Sequence, residues 1–187
     1  MKKLLIIVIA LTLCLTAVSC GSEGELLDEF DFENDFSNAQ GYRNWYYLYG
    51  NTDGDLNYMT FDLDEGKWRG KDFYSKNGIN EQHPGNNTET IIGFYCDRNG
   101  EISVRGSVTR CPIDWMGDGL FFYAAYFSGS LSDEYLTSFS IDALEKKPYE
   151  YEFTKKVKKG DFIYFAVNAN GNNAYDSVKN SINIKYN

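Results

Sequence analysis

Proline, histidine and positive charge are what this sequence has least of. Three prolines stand beside 17 glycines and 17% aromatic residues in 187, a balance that excludes a disordered tail and suits an ordered, β-rich domain. The single histidine, His83 in EQHPGNN, has no second histidine and no paired thiols nearby. That argues against a zinc site or a Ser-His-Asp relay and leaves His83 as a turn residue hydrogen-bonded to backbone. Lys and Arg number 18 against 27 Asp and Glu, a formal −9, so the surface repels nucleic acid and anionic lipid headgroups. No internal repeat, low-complexity linker or long helical period interrupts the chain.

The first twenty residues, MKKLLIIVIALTLCLTAVSC, put Lys2 and Lys3 ahead of an apolar run that ends in small residues. Residues 1–19 read as a secretory signal, too short and wrongly flanked for an ordinary membrane span. Ala17-Val18-Ser19-Cys20 resembles a bacterial lipobox, in which the cysteine is lipidated and becomes the new N-terminus; alanine stands where leucine is usual, and Cys14 lacks a small residue before it. Loss of the two lysines takes Lys and Arg from 18 to 16 against 27 acids, a formal −11. With that sign the anchor is acyl chain on Cys20, not a basic patch. The reading is a lipoprotein at the extracytoplasmic face of a cell or outer membrane, with residues 20–28 as an acidic tether and 29–187 as one domain. Soluble secretion after cleavage nearby is the alternative.

Beyond the tether, ten short β-rich runs at roughly 8 to 15 residue spacing argue for an all-β fold, an antiparallel sandwich. DRNG and KKGD read as hairpin turns. In DFIYFAVNA, Ile163, Phe165 and Val167 form one face, while GLFFYAAYFSG is apolar on both and predicts a central strand with a covered second face. In NWYYLYG, Trp45, Tyr47 and Tyr49 share one face and Tyr46 and Leu48 the other. In an exported protein the default for Cys96 and Cys111 is a disulfide. A hairpin around DRNG, however, sets them about 30 Å apart, against the roughly 7 Å limit between Cα atoms. Two buried thiols are expected, with a bend at Gly106 as the one route to a bond.

Several landmarks together, DFSNAQGYRNWYYLYG, Met59, Trp68, HPG at 83–85, DGL at 118–120, KKGDFIYFAVNANGNNAYDS and INIKY, resemble a jelly-roll module of the carbohydrate-binding type. That module recurs in secreted bacterial polysaccharide-degrading proteins and also occurs alone on lipoproteins. The resemblance implies a jelly roll and a non-catalytic domain. It also implies that the Tyr46/Leu48 face is the outer one, since the position of Leu48 is often polar there, and that Trp45, Tyr47 and Tyr49 point into the core. The CPIDWMGDG loop departs from the pattern.

Three constellations could carry chemistry. Glu29, Asp31 and Glu33 in EFDFE alternate like the carboxylate row of laminarinase-like retaining glycosidases, although acids in water over inward Phe30 and Phe32 explain the same pattern. Glu33, Asp35 and Asp176 could supply hard oxygen ligands to a structural Ca²⁺ where the first and last strands meet, against the alternative of a solvated acidic edge. Asn172, Asn173 and Tyr175, with Tyr46 and Trp115, are the candidate carbohydrate contacts: amides both donate to and accept from vicinal hydroxyls, and an aromatic face stacks on the C–H side of a pyranose. The expected function is therefore polysaccharide or oligosaccharide binding without cleavage, by a lipid-anchored protein that binds no nucleic acid and requires no cofactor. A structural or adhesive protein-interaction module is the second reading, and a glycoside hydrolase or lyase using Glu29, Asp31 and Glu33 the third.

Overall fold

A computed structural model describes residues 26–51, 54, 56–111, 117–129 and 134–187. The signal segment 1–19, Cys20, most of the tether and Trp115 lie outside the described residues. The strands are β1 (Glu29–Asp31), β2 (Trp45–Gly50), β3 (Asn57–Tyr58), β4 (Thr60–Asp62), β5 (Lys67–Arg69), β6 (Lys76–Gly78), β7 (Glu81–His83), β8 (Glu89–Tyr95), β9 (Gly100–Arg110), β10 (Leu120–Phe127), β11 (Glu134–Ile141), β12 (Tyr149–Val157), β13 (Phe162–Ala169) and β14 (Val178–Tyr186); a one-turn helix α1 (Phe32–Asp35) follows β1. They form two antiparallel sheets. One runs β11-β10-β13-β8-β2-β3, the other β12-β9-β14-β7-β6-β5-β4 with β1 also paired to β14. The chain changes sheet at each step from β8 to β9, β9 to β10, β11 to β12, β12 to β13 and β13 to β14, so the sandwich is a jelly roll.

DRNG and KKGD are therefore not hairpin turns. Each is a corner where the chain leaves one sheet for the other, and the two corners are tied together: Cys96 N–H donates to the Asp161 carbonyl at 2.8 Å and Gly160 N–H to the Cys96 carbonyl at 2.9 Å. The Asp161 carboxylate, 5% exposed, accepts from Lys158 N–H at 2.6 Å and from the Tyr126 hydroxyl at 2.5 Å. The two cysteines are free thiols at opposite ends of β9, Cys96 buried as expected but Cys111 only half-buried, and the span between them is one strand rather than a hairpin arm.

Period-2 alternation fixes what lies between the sheets. Ile163, Phe165 and Val167 of β13, Trp45 and Tyr47 of β2, Phe94 of β8 and Ile102 and Val104 of β9 are all buried there. Tyr49 is half-buried against the same core, so the inward face of β2 is as expected. Tyr47 stacks on Trp68 of β5, 4.7 Å between centroids with the planes 11° apart, and Trp68 Nε1–H donates to the Ser37 carbonyl at 2.9 Å. The outward side of β2 is less polar than expected: Leu48 is only 6% exposed and belongs to a second apolar cluster with Ile91, Tyr123, Ala125, Tyr164 and Ala166.

Candidate functional site

That second cluster lies on the face of the six-stranded sheet turned away from the core, and it is a tract of aromatic rings. Alternation places Tyr46 of β2, Tyr95 of β8, Phe162 and Tyr164 of β13, and Phe121, Tyr123 and Phe127 of β10 on this side. Tyr46 meets Tyr58 of β3 at 6.1 Å, Tyr95 at 6.3 Å and Phe162 at 5.5 Å. The contacts continue from Phe162 to Tyr164 at 5.5 Å and from Tyr164 to Phe127 at 5.7 Å. At the far edge, Tyr123 meets Tyr135 of β11 at 5.1 Å. Tyr58 and Tyr135, on the two outermost strands of the sheet, are 62% and 56% exposed, and the rings between them are half-buried or buried. Rings about 5 to 6 Å apart in tilted, edge and stacked geometries stabilise one another as well as the sheet.

Two local features set this surface. Gly41, in the left-handed region at φ 79°, sits so close to Tyr46 that a Cβ would come within 2.8 Å of its hydroxyl oxygen, which orients the ring. Gly93 lies between Leu48 and Tyr164, where a Cβ would be 3.1 Å and 3.4 Å from their side chains. At the other end of β8 the rings give way to a polar group. The carboxylate of Glu89, 8% exposed, accepts from the Tyr123 hydroxyl and from Asn168 Nδ2 at 2.9 Å. The face thus offers apolar rings bearing hydroxyls and, at one end, an oriented carboxylate and amide.

Of the residues expected to touch carbohydrate, Tyr46 is part of this tract. Asn172, Asn173 and Tyr175 are elsewhere, in the loop between β13 and β14. Asn172 shapes the loop, its Oδ1 accepting from Ala174 N–H at 3.0 Å and its N–H donating to Asp118 Oδ2 at 3.2 Å. Asn173 is buried and donates from Nδ2 to the Pro84 carbonyl at 3.3 Å. Tyr175 is 39% exposed and adopts φ 67°, held by Arg110, whose Nη2 donates to its carbonyl at 3.0 Å.

The carboxylate row of EFDFE does not form. The strand ends at Asp31, whose side chain caps α1 by accepting from Asn34 N–H at 2.9 Å, and the helical turn carries Glu33 to Lys179 at 2.6 Å. Glu29 pairs with Lys185 at 2.5 Å; the lysine's hydrogen bond and charge hold its carboxyl below the usual range, the opposite of what a general acid needs. Glu29 and Asp31 do line a cavity of about 610 Å³, beside Arg43, Arg105 and Lys185.

The three expected calcium ligands are likewise not brought together as a set. Glu33 is paired with Lys179, Asp35 with Arg43 at 3.0 Å, and the fully buried Asp176 with Arg110 at 3.8 Å. Asp35 also accepts from Trp45 Nε1 at 3.3 Å and from Asp31 N–H at 3.0 Å. Each carboxylate is matched to a different cation. Among the described residues no group of three or more His, Cys, Asp or Glu side chains is placed to hold a metal ion.

The sequence matches no protein-family model, and no curated protein matches it. Solved structures of similar outline include the PRD1 vertex protein P5, at 12% identity over 78% of this chain and 98% of that one with a TM-score of 0.37. Murine APRIL is similar at 11% identity over 75% and 97%, TM-score 0.34, and the Cowpea mosaic virus top component at 12% over 77% and 75%, TM-score 0.36. Likeness at this level bears on neither ligand nor partner.

Proposed function

We propose that this chain is the non-catalytic, carbohydrate-binding domain of a lipoprotein held through Cys20 at the extracytoplasmic face of a membrane. The ring tract on the outer face of the six-stranded sheet carries the reading. A sheet face turned to solvent ordinarily alternates to polar side chains; this one keeps aromatic rings on all six of its strands. Rings offer flat apolar surface to the C–H faces of pyranoses, tyrosine hydroxyls and the Glu89–Asn168 pair offer hydrogen bonds, and the extent of the face suits a polymer. The sequence features at residues 1–20 support the anchor.

Isothermal titration of the mature chain against plant, fungal and host polysaccharides tests the binding. Expected is saturable binding to at least one, weakened about tenfold, or about 1.4 kcal/mol, by Tyr95→Ala or Phe162→Ala. Absence of binding to every polysaccharide would count heavily against it. Cys20→Ser should move the protein from the membrane fraction to the soluble one. The carbon surface of Phe121 and Phe127 in the same tract also favours a second reading, a protein-interaction module, which pull-downs indifferent to added sugar would support.

A further inference from the structure

A separate cavity of about 410 Å³ opens beside β6 and β7 and the loop before β14, with Tyr74 and Tyr175 both in its lining. We infer that this cavity is a second ligand site, one that takes a single neutral pyranose, as a free sugar or the terminal unit of a chain.

Its floor is built from buried polar side chains whose hydrogen-bonding directions are already assigned by their neighbours. His83, 5% exposed, has Nδ1 at 2.8 Å from the Pro84 carbonyl oxygen. A carbonyl can only accept, so Nδ1 carries the proton and Nε2 is left as an acceptor. Burial, with Lys76 adding to it, holds the ring's pKa below its ordinary value, so the neutral form prevails at neutral pH. Asn173, 6% exposed, donates from Nδ2 to the same Pro84 oxygen at 3.3 Å, which leaves its Oδ1 as a second acceptor. Ser177 spends its hydroxyl proton on Glu81 Oε1 at 2.7 Å and keeps its lone pairs as a third.

The charges lining the cavity are already satisfied. Glu81 is paired with Lys67 at 2.5 Å and with Lys76 at 3.1 Å. Burial pushes its carboxyl up, but the hydrogen bonds from Lys67, Ser177 and Lys76 together outweigh burial and hold it at about 2. Lys76 retains ammonium protons beyond the one it gives to Glu81. Besides the hydroxyls of Tyr74 and Tyr175, which donate and accept alike, the cavity therefore offers three acceptors and one donor group. A carboxylate can only accept and would face three acceptors. Sugar hydroxyls donate and accept at once, and satisfy all four.

Size and walls point the same way. The volume is near the lower end of the range for small-molecule sites, enough for one ring and too little for a chain. Tyr74, 50% exposed, is stacked on His83 at 5.8 Å and 30°, so its wall is braced from below. The Tyr175 backbone is held by Arg110, which donates to its carbonyl. Two tyrosine rings and a set of polar side chains in one lining suit a single pyranose.

The inference goes beyond the sheet-face reading and can fail separately from it. The test is two-dimensional NMR of the mature chain titrated with the methyl glycosides of glucose, galactose, mannose and xylose, and with glucuronate. Expected is millimolar binding of at least one neutral glycoside, with shifts at His83, Asn173 and Tyr175. That binding should be lost in Tyr175→Ala and weakened at least about tenfold in Ser177→Ala, and should be unchanged in Phe162→Ala. Tyr175 is a surface residue, so its truncation leaves the fold intact, which the retained spectrum verifies. No shift at these residues with any neutral glycoside, or binding of glucuronate alone, would overturn the inference, whatever the polysaccharides do at the sheet face.

Discussion

Trp45 and Tyr46 are neighbours in sequence and opposites in consequence. Trp45 is fully buried, edge-on to Phe94 at 5.2 Å and to Phe32 at 5.5 Å, so Trp45→Ala should cost about 3 to 5 kcal/mol in urea unfolding. Tyr46→Ala should leave a cooperative fold and weaken polysaccharide binding. At Asp176 the effect is one of pH. Burial pushes its carboxyl up from 3.8 to about 7, with Arg110 opposing and Asp118 adding. Between those values the folded state holds a proton that the unfolded chain has released. Stability must then fall as pH rises through the window, by at most about 1.4 kcal/mol per pH unit for one group. Asp176→Asn should flatten that fall in unfolding curves collected from about pH 4 to pH 8. The roles of Trp45 and Tyr47 were legible because alternation put them on one face and the resemblance turned that face inward. Those of Glu89 and Asn168 were not, because they are 79 residues apart and meet only through sheet pairing.

Among the elements, the strands from β8 to β14 could be read from alternation, but their partners could not. DRNG and KKGD carry the turn chemistry of hairpins, and that chemistry serves a corner equally well; what separates the two is which sheet each flanking strand joins, a long-range choice. The strands β5, β6 and β7 have three residues each and mixed polar sequences, so they show no period at all. Glu33 was misplaced because Phe30 and Phe32 alternate like a strand while Asp31, three residues before Asn34, is already a helix cap. β9 has a chemical consequence. It keeps Cys96 and Cys111 apart, and burial pushes the Cys96 thiol up to about 12, against a lowering hydrogen bond with Tyr186. Thiol titration of the mature, lipid-free chain (Cys20→Ser) should find Cys96 inert in the native protein and two thiols after denaturation. Recovery of none would mean that the cysteines pair.

For the molecule as a whole, the −9 formal charge and the ring tract make opposite predictions about salt. Binding carried by stacking and neutral hydrogen bonds should change little between low and physiological ionic strength, whereas charge-driven binding would fall steeply. Titration of a binding polysaccharide at both salt concentrations decides between them. The topology also orders events in time. β14 is the last strand along the chain, yet it lies inside its sheet, flanked by β9 on one side and by β1 and β7 on the other. A chain emerging N-terminus first cannot complete this sheet until residue 186 is free to pair. The sheet must therefore close only once residues 178–186 are free to pair, and a domain without β14 would lack the middle of the sheet rather than its rim.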